Sequence, residues 1–180
     1  MNGEICVVFG DGVEEMELVT PVDIFARSGM WSRLFSAKNS PHVTGAHGIK
    51  FIADGVVEKL DCSIYDCLVI PGGPGSFVLK DNRLVLETVK KFSKSGKVVC
   101  AICAAPIVLH SAGILEGKKF CSHQCVHDVL KNADKTDKVV VDGNLITANG
   151  PGAATEFALA IVTRLCGKRV ASHVAEDMSL

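Results

Sequence analysis

Apolar residues cluster along this chain in runs of strand length: Ile5–Phe9, Arg33–Ala37, Ile49–Ala53, Cys67–Ile70, Val98–Ile102, and Val139–Val141 with Leu145–Thr147. Several of these runs are apolar at nearly every position instead of alternating with polar residues. That pattern belongs to parallel strands buried on both faces. Between the runs, apolar residues recur at three- and four-residue spacing. This predicts helices over Glu14–Ser28, Asn82–Ser95, Ala104–Ala112, His123–Lys131 and Ala153–Leu165. Gly113 directly follows the third of these, a usual place for a helix to stop. Lys119–Cys121 reads as a further short strand and Asp142-Gly143-Asn144 as a tight hairpin turn. Strands alternating with helices predict an α/β fold, with a mostly parallel central sheet and helices on both faces. No repeat, low-complexity tract or linker interrupts the pattern, so residues 1–180 read as a single domain.

Composition narrows the function classes. Of 180 residues, 48% are hydrophobic and 22% charged, which is globular and not disordered. The 19 basic and 20 acidic residues leave a net charge of −1, so no basic footprint for nucleic acid or anionic lipid is expected. No run approaches the roughly 20 apolar residues of a membrane span. The start, Met1-Asn2-Gly3-Glu4, lacks the basic region that opens a secretory signal, and a cytoplasmic protein is expected. Most of the eight cysteines lie in apolar runs, which favours free thiols in a reducing compartment over a disulfide framework.

In parallel α/β sheets, function gathers at the carboxyl ends of the strands. Three predicted strand ends carry unusual residues: Pro71-Gly72-Gly73-Pro74-Gly75, Cys103, and Asn149-Gly150-Pro151-Gly152. Glycine and proline make turns without any further role, but three such loops at one edge favour a shared site.

The middle loop is the most informative. The strand Val98–Ile102 runs straight into Cys103-Ala104-Ala105-Pro106. A nucleophile elbow needs small residues two positions either side of the reactive residue, and Ala101 and Ala105 stand there. Pro106 suits the first turn of a helix, where its missing N–H costs nothing. At a helix start, Cys103 is expected to favour the thiolate, the form that attacks carbonyls and reacts with peroxide. Cys6, Cys100 and Cys166 read as core thiols. Cys100 and Cys103 have CxxC spacing, with Cys121 and Cys125 farther on, so zinc binding is an alternative. Against it, residues three apart on a strand point to opposite faces.

Glu17 shares a helix edge with Pro21 and Ile24. Pro21 cannot donate to the Glu17 carbonyl, and a kink is expected there. Two readings remain: Glu17 is buried with a raised pKa and acts as a proton donor, or it only favours the helix N-terminus, as Glu14 and Glu15 are expected to do. His123 falls at another expected strand end, with His127 as an alternative. His42, His47, His110 and His173 have no comparable context.

Five ordered segments then resemble one family: Gly12–Gly29, Tyr65–Gly73, Ala101–Pro106, Ser122-His123 and Gly150–Val162. The chain is similar to the DJ-one/ThiJ/PfpI superfamily, most of all to its DJ-one branch. The resemblance implies a flavodoxin-like α/β sandwich. It implies that Cys103 is the nucleophile, Glu17 the protonated glutamate in contact with it and His123 a nearby histidine. It places Gly72, Gly73 and Ala104 around the cysteine, with the Gly73 and Ala104 amides suited to an oxyanion. The implied activity is glyoxalase III-like conversion of methylglyoxal to lactate, or deglycation of protein or nucleotide adducts. It uses no metal or organic cofactor and takes small reactive carbonyl substrates, in a homodimer. The alternative it implies is an oxidative-stress sensor or redox-regulated chaperone using the same cysteine. The protease-type members carry His after the cysteine, whereas Ala104 stands here, which disfavours a Cys-His protease or amidase. Ala105 replaces a common glycine, and Asn149 and His47 fall where arginines stand in the human-type protein. No phosphate-cradling loop supports a role in thiamine-precursor synthesis.

Overall fold

The computed structural model describes residues 3–180. Seven strands form the main sheet: β1 (Glu4–Phe9), β2 (Trp31–Ser36), β5 (Gly55–Val56), β6 (Cys67–Ile70), β7 (Val98–Ile102), β8 (Val139–Asp142) and β9 (Leu145–Ala148). Their order is β5-β2-β1-β6-β7-β9-β8, parallel throughout except for β8, which runs antiparallel to β9. The near-continuous apolar runs account for this arrangement. Every residue of β6, β7 and β9 is buried, because helices cover both faces of the sheet.

One covering layer is α1 (Glu15–Arg27) packed on α5 (Ala154–Cys166), with α6 (Lys168–Asp177) against α5. The other is α2 (Ser76–Leu79), α3 (Arg83–Lys94) and α4 (Pro106–Ser111). Asn82 caps α3 by accepting from the Leu84 and Val85 amides at 3.0 and 3.3 Å. The result is a flavodoxin-like α/β sandwich, as expected. No helix among the described residues is long and apolar enough to cross a membrane.

Several expectations need correction. Ile49–Ala53 contributes β4 (Lys50–Ile52), but β4 pairs only with β3 (His42–Thr44) in a separate antiparallel hairpin. Lys119–Cys121 is not a strand; Cys121 makes one isolated bridge with Asp134. His123–Lys131 is not a helix; it holds a 3-10 turn over Gln124–Val126 followed by turns. Histidine side chains compete with the helical backbone there. His123 Nδ1 takes the Cys125 amide, and His127 Nε2 bonds the Ser122 carbonyl oxygen at 3.1 Å. The helix expected over Glu14–Ser28 is α1, which continues through Pro21.

Candidate active site

Because the inner strands are parallel, the loops after β1, β6, β7 and β9 meet at one edge. The loop after β1 joins the three expected from the sequence. It interlocks with the loop after β6: the Glu14 amide donates to the Gly72 carbonyl and the Gly75 amide to the Gly12 carbonyl, both at 3.0 Å. The approach is too close for side chains. A Cβ on Gly75 would lie 2.4 Å from the Asp11 carbonyl oxygen, and one on Gly73, at φ +92°, 2.4 Å from that of Gly12.

Cys103 stands on the turn between β7 and α4 with φ +63°, a left-handed conformation costing on the order of 1–3 kcal/mol for a residue with a Cβ. The turn is fixed from both sides. The Cys103 amide donates to the Ala148 carbonyl at the end of β9, and its carbonyl accepts from the His123 amide, both at 2.8 Å. Ala101 and Ala105 are fully buried, and Pro106 opens α4, as the elbow requires.

Glu17 is entirely buried on α1. Its Oε2 accepts from the Gly72 amide at 2.8 Å, while Oε1 has no conventional hydrogen-bond partner. The Cys103 thiol is the carboxyl's other polar neighbour. Burial pushes the Glu17 carboxyl up to about 7, against the opposing pull of hydrogen bonds from Cys103 and Gly72. Burial also pushes the Cys103 thiol up to about 12, helped by the Glu17 charge; the Gly73 and Ala104 amides facing the sulfur act the other way. The expected thiolate-favouring position is therefore corrected. α4 is a short helix of six residues, and at the sulfur burial and the neighbouring carboxylate exceed the opposing Gly73 and Ala104 amides. The Gly72 amide is occupied by Glu17, so Gly72 holds the acid while Gly73 and Ala104 face the sulfur. A Cβ at Gly72 would lie 2.6 Å from Glu17 Oε2 and 2.7 Å from Cys103 Cβ.

His123 reaches the site through its backbone. Its Nδ1 accepts from the Cys125 amide at 3.2 Å, which leaves the proton of the neutral ring on Nε2. The ring lies against Gly150, where a Cβ would come within 3.4 Å of Cδ2. His123, His127, Asn149 and Gly150 line an open cleft of about 460 Å³.

The sequence reading missed one cluster. Glu15 is 7% exposed and accepts from both the His47 amide and His47 Nδ1 at 2.7 Å, while Glu14 Oε1 lies 3.8 Å from the same nitrogen. The His47 bonds hold the Glu15 carboxyl below its usual range despite burial, and Glu15 raises the His47 imidazole in return. Glu15 is thus more than a helix-end charge. Two adjacent glutamates gave no sign of this because their partner lies in the turn of the β3–β4 hairpin, 32 residues beyond Glu15 along the chain. The other member of the CxxC spacing, Cys100, turns away from Cys103 into the core, its Sγ 3.6 Å from that of Cys67.

Comparison with known proteins identifies the family. Residues 3–164 match the model of the DJ-1/PfpI family. The crystal structure of Drosophila melanogaster DJ-1beta superposes with a TM-score of 0.96 at 32% identity, covering 100% of this chain and 99% of that one. The glutathione-independent glyoxalase DJR-1.2 of Caenorhabditis elegans is 32% identical over 94% of this chain and 92% of its own length. The deglycase TK1284 of Thermococcus kodakarensis is 32% identical over 83% and 91%. The chain spans about half (46%) of Arabidopsis thaliana DJ-1 homolog A, also 32% identical. With the family match running through the elbow, the buried glutamate and the glycine loops alike, the chain belongs to the DJ-1/PfpI family.

Proposed function

We propose that this protein is a cofactor-free, cysteine-dependent enzyme acting on reactive dicarbonyls, converting methylglyoxal to lactate, or on the adducts such dicarbonyls form. The observation that carries the reading is Cys103 held at φ +63° beside the fully buried Glu17, with the Gly73 and Ala104 amides facing its sulfur. Two relatives about a third identical, named a glyoxalase and a deglycase, support the same class.

In this reading Glu17 takes the thiol proton as the sulfur bonds to the aldehyde carbon. The aldehyde π electrons move onto oxygen, and the Gly73 and Ala104 amides stabilise the alkoxide before it is protonated. The resulting hemithioacetal loses the proton from the former aldehyde carbon. The adjacent ketone carbon gains one and the hydroxyl proton passes to the former ketone oxygen, giving a hydroxyacyl thioester. Glu17, with His123 at the cleft, shuttles these protons. Water then cleaves the thioester, releasing lactate and the free thiol. The sum is methylglyoxal plus water giving lactate, with no net redox change.

A second reading, a peroxide sensor, draws on Glu17 Oε1. This buried atom lacks a conventional partner and, when protonated, suits an oxygen added to Cys103. The deciding experiment is steady-state lactate formation from methylglyoxal by wild type beside Cys103→Ala. Many turnovers in wild type and none in the variant support the enzyme. A single stoichiometric burst of dicarbonyl loss without lactate refutes it.

A further inference from the structure

Cys125 takes no part in the proposed dicarbonyl chemistry, yet it lies two residues from His123, whose backbone is bonded to that of Cys103. The His123 amide donates to the Cys103 carbonyl at 2.8 Å, so the two backbones run side by side there. Cys125 follows two residues later, a span of at most about 7 Å of chain. Its own amide folds back onto His123 Nδ1 at 3.2 Å, curling the Gln124–Val126 turn toward His123 instead of letting it run outward. The charge of Glu17 is felt at this thiol: burial and Glu17 both push it up. Among the eight free cysteines, Cys125 is the exposed one. The others are engaged elsewhere or less open. Cys67 and Cys100 meet in the core, and Cys121 Sγ lies 3.7 Å from both the Lys138 carbonyl and Thr147 Oγ1.

We propose that Cys125 is a resolving thiol for Cys103, so that a hydroperoxide drives the two into an intramolecular disulfide. The proposal rests on Cys103 being the reactive nucleophile. The Cys103 sulfur attacks the distal peroxide oxygen. The O–O bond breaks, the alcohol or water leaves, and Cys103 carries a sulfenic acid, oxidised by two electrons. The Cys125 thiol then gives up its proton and attacks the Cys103 sulfur. The S–O bond breaks, and the leaving hydroxide takes that proton as water. Closure needs the Cα atoms within about 4.4–6.8 Å. The pairing therefore requires the three-residue Gln124–Val126 turn to bring Cys125 within that span of Cys103. A dithiol reverses the bond by exchange, restoring both thiols.

Purified protein and a Cys125→Ser variant are treated with graded hydrogen peroxide, blocked with an alkylating agent and mapped by peptide mass spectrometry without reduction. Wild type is expected to give a Cys103–Cys125 linked peptide within one chain, removed by a dithiol, with little sulfinate. Cys125→Ser is expected to send Cys103 on to the sulfinate. Sulfinate accumulating at Cys103 equally fast in both proteins, or a linkage only between chains, overturns the pairing while leaving Cys103 reactive. A Cys103 inert to peroxide in both proteins overturns the nucleophile reading and the pairing with it.

Discussion

Replacing Glu17 with glutamine should stabilise the protein at alkaline pH and leave acid stability nearly unchanged. The folded carboxyl titrates at about 7, against an ordinary 4.5. Below pH 4.5 the folded and unfolded chains both hold the proton. As pH rises from there to about 7, the unfolded chain releases its proton first. The folded state therefore binds more protons, and stability falls with pH across this window. Above it the cost is constant. At 1.36 kcal/mol per pH unit, a shift of this size is worth about 3 kcal/mol. The glutamine amide carries no charge to desolvate. Its oxygen accepts from the Gly72 amide as Oε2 does, and its NH2 group faces the sulfur.

Urea unfolding under reducing conditions at fixed protein concentration, at pH 5 and pH 8, measures the difference directly. Titrating groups remote from Glu17 are common to both proteins and cancel. Glu17→Gln should gain up to about 3 kcal/mol over wild type at pH 8 and far less at pH 5. The Cys103 thiol should titrate lower in the variant, because the neighbouring charge that raises it is gone. Dicarbonyl turnover should fall, since an amide cannot carry the transferred proton. A stability difference that stays flat between pH 5 and pH 8 would refute the reasoning, because it would mean the carboxylate is not penalised by its surroundings.

Three further outcomes follow from the geometry. Gly72→Ala places a methyl group 2.6 Å from Glu17 Oε2 and 2.7 Å from Cys103 Cβ, and should cost about 1–3 kcal/mol of stability by overpacking together with most turnover; an active, equally stable variant counts against the placement of these three residues. His123→Ala should lower turnover by about 10²-fold or less, as a shared proton shuttle does; a complete loss would make His123 the principal base. Light scattering should give twice the 19.1 kDa chain mass, and Val19→Arg on the exposed face of α1, where Met16 is also exposed, should reduce it to one chain; a wild-type monomer at micromolar concentration refutes the homodimer.

What the sequence revealed and what it hid divide along physical lines. The parallel sheet was legible because burial on both faces demands apolar runs without alternation, as in Cys67–Ile70 and Val98–Ile102. The elbow was legible because the bend admits only small neighbours, and Ala101, Ala105 and Pro106 carry that signature. For Glu17 the apolar edge of α1 left burial and a helix-end charge both open, and packing decides for burial. Long-range pairing left no such trace. Glu15 looks like any first-turn acid until the β3–β4 hairpin brings His47 onto it. His123–Lys131 has helical spacing at Val126 and Leu130, but side-chain bonds from His123 and His127 redirect the backbone. α6 carried a usable signal in Val170, Val174 and Met178 at four-residue spacing, beginning just after Gly167 at φ +89°.

The misjudged direction of the Cys103 shift matters most for the proposed chemistry. A thiol raised to about 12 has almost no standing thiolate at neutral pH, which argues against a generally reactive cysteine. The relevant equilibrium is instead the transfer of one proton inside the pair. Burial is the larger cause of the elevation; the Glu17 carboxylate adds to it, and that part disappears once the carboxylate accepts the thiol proton. The same transfer turns Glu17 from a repelling charge into a hydrogen-bond donor, while the Gly73 and Ala104 amides already face the sulfur. In the proposed chemistry the thiolate is thus formed in place when an electrophilic carbon or peroxide oxygen lies against the sulfur. It is not held in waiting for any reagent in solution. Burial then acts as a selectivity device: a small electrophile that enters the strand-end site meets a nucleophile, and bulk reagents meet a thiol.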